Sequence, residues 1–154
     1  MKKAKLLKFI NLWPPYLGSG VRVRHIADDF TAVDVEMRLT FWNRNYVETH
    51  FGGSLYAMTD RFFMLMLIEN LGPNYIVWDK AAAIRFKKPG RGVVRAEFRL
   101  TREEIETIRR QADQAPKIEP VFRVTVCNQA GEIVAEVEKT LYIRRKDSST
   151  RKDS

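Results

Sequence analysis

Apolar and polar positions alternate over Val33, Val35, Met37, Leu39 and Phe41, with Asp34, Glu36, Arg38 and Thr40 on the opposite side. This period of two predicts a half-buried antiparallel strand. A shorter run from Val21 to Ile26, broken by Asp28-Asp29, predicts another strand ahead of it. The same period returns downstream. Trp78, Ala82, Ile84 and Phe86 fall on one side, and Val94, Ala96, Phe98 and Leu100 follow the turn Lys88-Pro89-Gly90-Arg91-Gly92. Phe122, Val124 and Val126 then alternate, Asn128 to Gly131 forms a turn, and Ile133, Ala135, Val137, Leu141 and Ile143 complete a C-terminal hairpin.

Between the first and second groups of strands the pattern changes. Asn43 to Phe51 is polar and irregular, and Gly52-Gly53 opens a run from Ser54 to Leu71 that is apolar almost all round, ended by Gly72-Pro73. A helix of that composition has to be enclosed by other structure. Upstream, Leu6, Leu7, Phe9, Ile10 and Trp13 share a helical face with lysines opposite, and Pro14-Pro15 ends that helix. Such a segment either packs on the domain or a dimer partner, or lies on a membrane surface. Thr101-Arg102-Glu103-Glu104 has capping-box spacing and starts a short polar helix ending before Pro116. One enclosed helix and several amphipathic antiparallel strands predict an α+β fold, a curved sheet wrapped around a single long central helix.

The chain has 154 residues and is 45% hydrophobic, enough for one domain and too little for two. The expected layout is an N-terminal helix and linker over 1–20, a domain over 21–145 and a charged, Ser-rich disordered tail over 146–154. The net charge of +8 favours anionic partners such as nucleic acid, anionic lipid or a phosphorylated small molecule like coenzyme A. Cys127 is the only cysteine, which excludes an intramolecular disulfide and any zinc site of several thiolates, so no metal is expected and the cytoplasm is the default location. Lys8 splits the apolar N-terminal residues too early for a secretory signal, and no transmembrane segment is expected.

The stretch NRNYVETHFGGSLYAMTD, from Asn43 to Asp60, resembles the hotdog-fold thioesterases, in particular the phenylacetate-pathway type and a related uncharacterised family. YIVWDKAAAIRFKKPGRG resembles the strand that follows the hotdog helix, and the likeness runs over roughly residues 21 to 145. In the resembling enzymes an Asn precedes a Gly-Gly pair at the helix start, and an acidic residue about two helical turns later reaches the partner subunit's loop. The positions here are Asn45, Gly52, Gly53 and Asp60. The phenylacetate type carries His directly before the glycines, where this chain has Phe51, with His50 one place earlier. The resemblance implies hydrolysis of an acyl thioester carried by coenzyme A or acyl-carrier protein, by a homodimer or dimer of dimers. No cofactor is implied beyond the coenzyme A of the substrate.

The chemistry of these residues suits that reaction. Amides at a helix start can hold a developing oxyanion, and glycine leaves room for the substrate, which assigns this role to Gly52 and Gly53. The Asn45 amide can orient the water or the thioester oxygen but is no base. Asp60, if buried in its apolar run, would be a stronger proton acceptor and serves as general base or nucleophile. His50 can donate a hydrogen bond to the thioester or act as a base. Phe51, Ser54 and Thr59 are further substrate contacts, Ser54 alternatively capping the helix, and Arg85, Lys87, Lys88 and Arg91 can meet nucleotide phosphates. His25, in an edge strand, has no assigned role. A non-catalytic acyl-thioester or lipid binder is the alternative function. Nucleic-acid binding is not expected, because basic and acidic residues interleave in Asp34-Glu36-Arg38 and Arg95-Glu97-Arg99.

Overall fold

A computed structural model describes residues 3–147. The elements are α1 (Lys3–Leu12), α2 (Pro14–Ser19), β1 (Val21–Ile26), β2 (Ala32–Arg38), α3 (Gly52–Ala57), α4 (Phe62–Leu71), β3 (Tyr75–Phe86), β4 (Val93–Arg99), α5 (Arg102–Gln114), β5 (Val121–Asn128) and β6 (Ile133–Arg145). The six strands form one antiparallel sheet in the order β1-β2-β4-β5-β6-β3. Inward alternation is what holds it on its core: Val33, Val35 and Met37 of β2, Val94, Ala96 and Phe98 of β4, and Val137, Leu141 and Ile143 of β6 are all buried. Helix α4 sets Phe62 and Phe63 against Phe98 at ring separations of 5.0 and 5.1 Å, and Phe63 stacks on Phe122. This is the curved sheet and helical layer of the hotdog fold.

The expected single helix from Ser54 to Leu71 is two helices, broken at Met58 to Arg61. No Gly or Pro marks the break. Arg61 takes φ +74°, a left-handed conformation costing a side chain on the order of 1–2 kcal/mol. Neighbouring groups hold it there: the Arg61 guanidinium lies over the Trp13 ring at 3.8 Å, and the Tyr16 hydroxyl donates to the Asp60 carbonyl oxygen at 3.1 Å. Nor is the run wholly enclosed, since Ile68 is exposed.

Pro14-Pro15 ends α1 as expected but also starts α2, because proline is tolerated in a helix's first turn. Leu6 is buried, and Leu7, Ile10 and Trp13 pack against the core, whereas Phe9 is exposed. The Asn11 side chain accepts from the Val23 N–H at 2.8 Å and donates to the Val23 carbonyl oxygen at 3.2 Å, taking a partner strand's place along the β1 edge. The alternation of β2 stops at Arg38, so Phe41 stands exposed beyond the strand.

In β3 the expected face is corrected by a bulge between Asp79 and Ala81. The extra residue Lys80 shifts the phase. Val77 and Asp79 therefore share the inward face with Ala82, Ile84 and Phe86, while Trp78 points outward and stacks on Tyr142. At the opposite margin from β1, this 12-residue strand has no neighbour beyond it among the described residues, and Ala81, Ala82 and Ala83 are exposed along it.

The capping box forms as read: Glu104 N–H donates to Thr101 Oγ1 at 3.1 Å and Thr101 N–H to Glu104 Oε2 at 2.7 Å. The Asn128 to Gly131 turn also forms, with Asn128 Oδ1 accepting from the Ala130 and Glu132 N–H groups. The tail expected from Lys146 lies mostly in residues 148–154, outside the described residues; Lys146 N–H itself donates to the Asn74 carbonyl oxygen at 2.8 Å. No helix among the described residues is long and apolar enough to cross a membrane.

Candidate active site

The loop between β2 and α3 is built by its asparagines. Asn43 is buried; its Oδ1 accepts from Thr40 N–H, and its amide donates to the Ser19 and Arg38 carbonyl oxygens, so every polar atom is used internally. Asn45 Oδ1 accepts from Val47 N–H, Thr49 N–H and Thr49 Oγ1 at 3.0, 3.1 and 3.1 Å. Its oxygen therefore shapes the loop, and only the NH2 is left to offer a substrate.

His50 is 3% exposed, and its Nε2 lies 2.8 Å from the Gly92 carbonyl oxygen. A carbonyl can only accept, so Nε2 carries the hydrogen and Nδ1 of the neutral ring is an acceptor. Nδ1 is buried and has no hydrogen-bond partner among the described residues. Burial lowers the His50 pKa, outweighing the Gly92 bond, which raises it. The neutral ring thus offers Nδ1 as an acceptor and not as a donor.

Helix α3 starts at Gly52, with Phe51 at its N-cap and no side-chain cap, so Ser54 is an internal, buried helix residue rather than the cap. With six residues, α3 has a small dipole, and the glycine N–H groups themselves are what it offers an oxyanion. Both glycines also admit aromatic rings. A Cβ on Gly53 would stand 2.5 Å from Phe51 Cε1, and one on Gly52 would stand 3.0 Å from Phe86 Cζ. Thr59 is fully buried and donates to the Tyr56 carbonyl oxygen at 2.8 Å, which turns its hydroxyl onto the backbone of its own turn.

A cavity of ≈ 550 Å³ brings together Asn45, His50, Gly52, Lys87, Lys88 and Arg91. Lys87 is 3.7 Å from Glu136 and Lys88 pairs with Glu132, so Arg91 is the rim cation without a carboxylate partner among the ion pairs of the described residues. Arg85 does not join them: it lines a different cavity, with Arg123, Thr125 and Glu138 on the outer face of the sheet. A larger hollow of ≈ 710 Å³ between α1, α2 and β1 contains none of the expected site residues.

Asp60 does not line the cavity that holds Asn45 and His50 in the same chain. The burial expected for it is incomplete, its side chain being 37% exposed. Asp60 Oδ1 instead accepts from Lys139 Nζ at 2.9 Å, and Lys139 also lies 3.3 Å from Asp79 Oδ1 and donates to the Tyr56 hydroxyl at 3.3 Å. Lys139 is 1% exposed. Burial alone would lower its pKa; the hydrogen bond and charge of Asp60, with Asp79, overcome that and raise it. Lys139 and Asp79 were missed by reading the sequence. The signal was the gap in the β6 alternation, where a lysine stands between Val137 and Leu141 at a core position.

A family model described as a domain of unknown function, DUF4442, matches residues 2–143. No curated protein matches the chain. Among solved structures, a Pseudomonas aeruginosa protein of unknown function described as a probable thioesterase superposes with TM-score 0.82 at 20% identity, covering 95% of this chain and 97% of that one. A thioesterase from Haemophilus influenzae superposes with TM-score 0.68 at 12% identity, covering 94% and 92%. A mutant thioesterase from P. aeruginosa also gives 0.68 at 12% identity, covering 92% and 94%. Likeness at these identities establishes the fold.

Proposed function

The chain belongs to the DUF4442 family, and from that premise we propose that it hydrolyses acyl thioesters, of coenzyme A or acyl-carrier protein, as a homodimer or dimer of dimers whose sites combine residues of two chains. The observation that carries this reading is the separation within one chain: Asn45, His50 and Gly52 meet in one cavity, and Asp60 stands outside it. A site completed by the partner's Asp60 accounts for both halves. The open 12-residue edge of β3 supports the pairing, because a long unprotected edge favours another strand beside it. A mass of two or four times 18.0 kDa by light scattering is expected, and a mass of 18.0 kDa would count against it.

In this mechanism the Gly52 and Gly53 amides and the Asn45 NH2 receive the carbonyl oxygen as it becomes an oxyanion. Asp60 takes a proton from water as the water oxygen bonds to the carbonyl carbon; collapse of the intermediate breaks the C–S bond, and the thiolate leaves and takes up a proton. Arg91, with Lys87 and Lys88, stands at the cavity rim, where the phosphates of coenzyme A would lie. The Phe51 ring covers Gly53, so an acyl group has to displace that ring to reach the Gly53 amide. No resident cofactor enters, and a cytoplasmic location fits the lone Cys127.

The second reading, a non-catalytic acyl-thioester binder, draws on the engagement of Asp60 by Lys139. Thiol release from an acyl-coenzyme A panel by the wild type and Asp60→Asn separates the two. Turnover by the wild type, reduced at least about a hundredfold in the variant, is expected. Binding without turnover in both proteins removes the enzyme reading.

A further inference from the structure

We propose that Lys139 is a positioning residue for Asp60, holding its carboxylate in one orientation at the break between α3 and α4. The inference rests on the reading that Asp60 acts on the thioester, and it starts from a misfit in the sheet. The inward positions of β6 carry Val137, Leu141 and Ile143, and Lys139 sits among them, 1% exposed. A buried ammonium persists only where hydrogen-bond acceptors and opposite charges compensate it. Two accept hydrogen bonds here, Asp60 Oδ1 at 2.9 Å and Tyr56 Oη at 3.3 Å, and the Asp79 carboxylate lies 3.3 Å away as an ion-pair partner.

Each of the three arrives by a separate device. Tyr56 is carried by α3, Asp60 by the break itself, and Asp79 by β3, paired opposite Leu141. The bulge at Lys80 is what turns Asp79 inward in phase with Ala82, the register partner of Lys139. Two carboxylates thus share one ammonium. Asp79 is 25% exposed and Asp60 37%, so Asp60 is the more accessible of the two. Lys139 bonds only its Oδ1; among the described residues no hydrogen bond reaches Oδ2, the oxygen left for a water or a substrate. Being enclosed, with its ammonium held by Asp60, Tyr56 and the charge of Asp79, Lys139 acts through Asp60 and not on the substrate.

The test is a double-substitution cycle on the full-length chain, with Lys139→Met, Asp60→Asn and both together, read as kcat and KM for an acyl-coenzyme A substrate. Lys139→Met is expected to lower kcat at least about tenfold with KM changed less than about threefold, and the double variant to be no slower than Asp60→Asn alone. Lys139→Arg, which keeps a cation, is expected to recover more kcat than Lys139→Gln; these two serve also if the Met variant does not fold. Losses that multiply, an unchanged kcat in Lys139→Met, or equal rates for the Arg and Gln variants overturn the proposal. The same cycle read on thermal unfolding midpoints requires no turnover. Non-additive midpoint shifts are expected, and additive shifts overturn the Lys139–Asp60 coupling. A wild type that releases no thiol while the midpoints remain coupled would instead overturn the hydrolase reading.

Discussion

The Tyr16 hydroxyl donates to the Asp60 carbonyl oxygen at 3.1 Å, across 44 residues of sequence, so the N-terminal helices secure the backbone of the candidate base. Tyr16 is 1% exposed, and burial foremost, then the Asp60 charge, pushes its pKa up, which keeps it a donor. Tyr16→Phe keeps the ring against Phe62 and removes only the hydroxyl. It is expected to destabilise the protein by about 1 kcal/mol, from the net worth of one hydrogen bond, in chemical denaturation. It is also expected to lower kcat several-fold, with KM unchanged, because Asp60 loses its anchor.

His50 makes stability depend on pH below neutrality. Its folded pKa lies below the ordinary 6.5 through burial, so the unfolded chain binds the proton more readily. The sign follows: the contribution is complete above about pH 6.5 and is lost as pH falls towards the folded value. Thermal unfolding followed from pH 7.5 downwards is expected to show this loss, with a slope of at most about 1.4 kcal/mol per pH unit from one group. His50→Gln is expected to flatten that part of the curve. An identical slope in both proteins would assign it to other groups.

Arg91→Ala tests the proposed phosphate contact separately from the acyl site. Arg91→Ala is expected to raise KM for an acyl-coenzyme A by about tenfold, the loss of roughly 1.4 kcal/mol of phosphate contact, at unchanged kcat. A short acyl thioester without phosphates is expected to show equal KM values in the two proteins. Arg85→Ala, on the outer sheet face, is expected to leave both substrates unaffected.

What the sequence made legible was whatever repeats locally. Alternation through Val33 to Met37 and Val94 to Phe98, the Thr101 capping box and the Asn128 turn depend on neighbours a few residues apart, and all form as read. The misreadings need distant partners. The helix break stands at Met58 to Arg61, without Gly or Pro, where Trp13 and Tyr16 hold a strained Arg61. The one extra residue at Lys80 reversed the face of Trp78. For the site, the spacing of Asn45, His50 and Gly52 carried over into one cavity, whereas nothing local separates Arg85 from Lys87 and Lys88. Thr59 looked available in sequence and is buried because the break bonds it back on Tyr56.

The central claim, that each site takes Asp60 from one chain and Asn45 with the α3 glycines from another, is tested most directly by complementation. Asn45→Ala and Asp60→Asn proteins, each inactive alone, are unfolded together, refolded and assayed for thiol release. Mixed dimers would contain one site with both residues intact, so the mixture is expected to recover about a quarter of wild-type activity at equal amounts. A mixture that forms mixed dimers and stays as inactive as its two components would contradict the shared site.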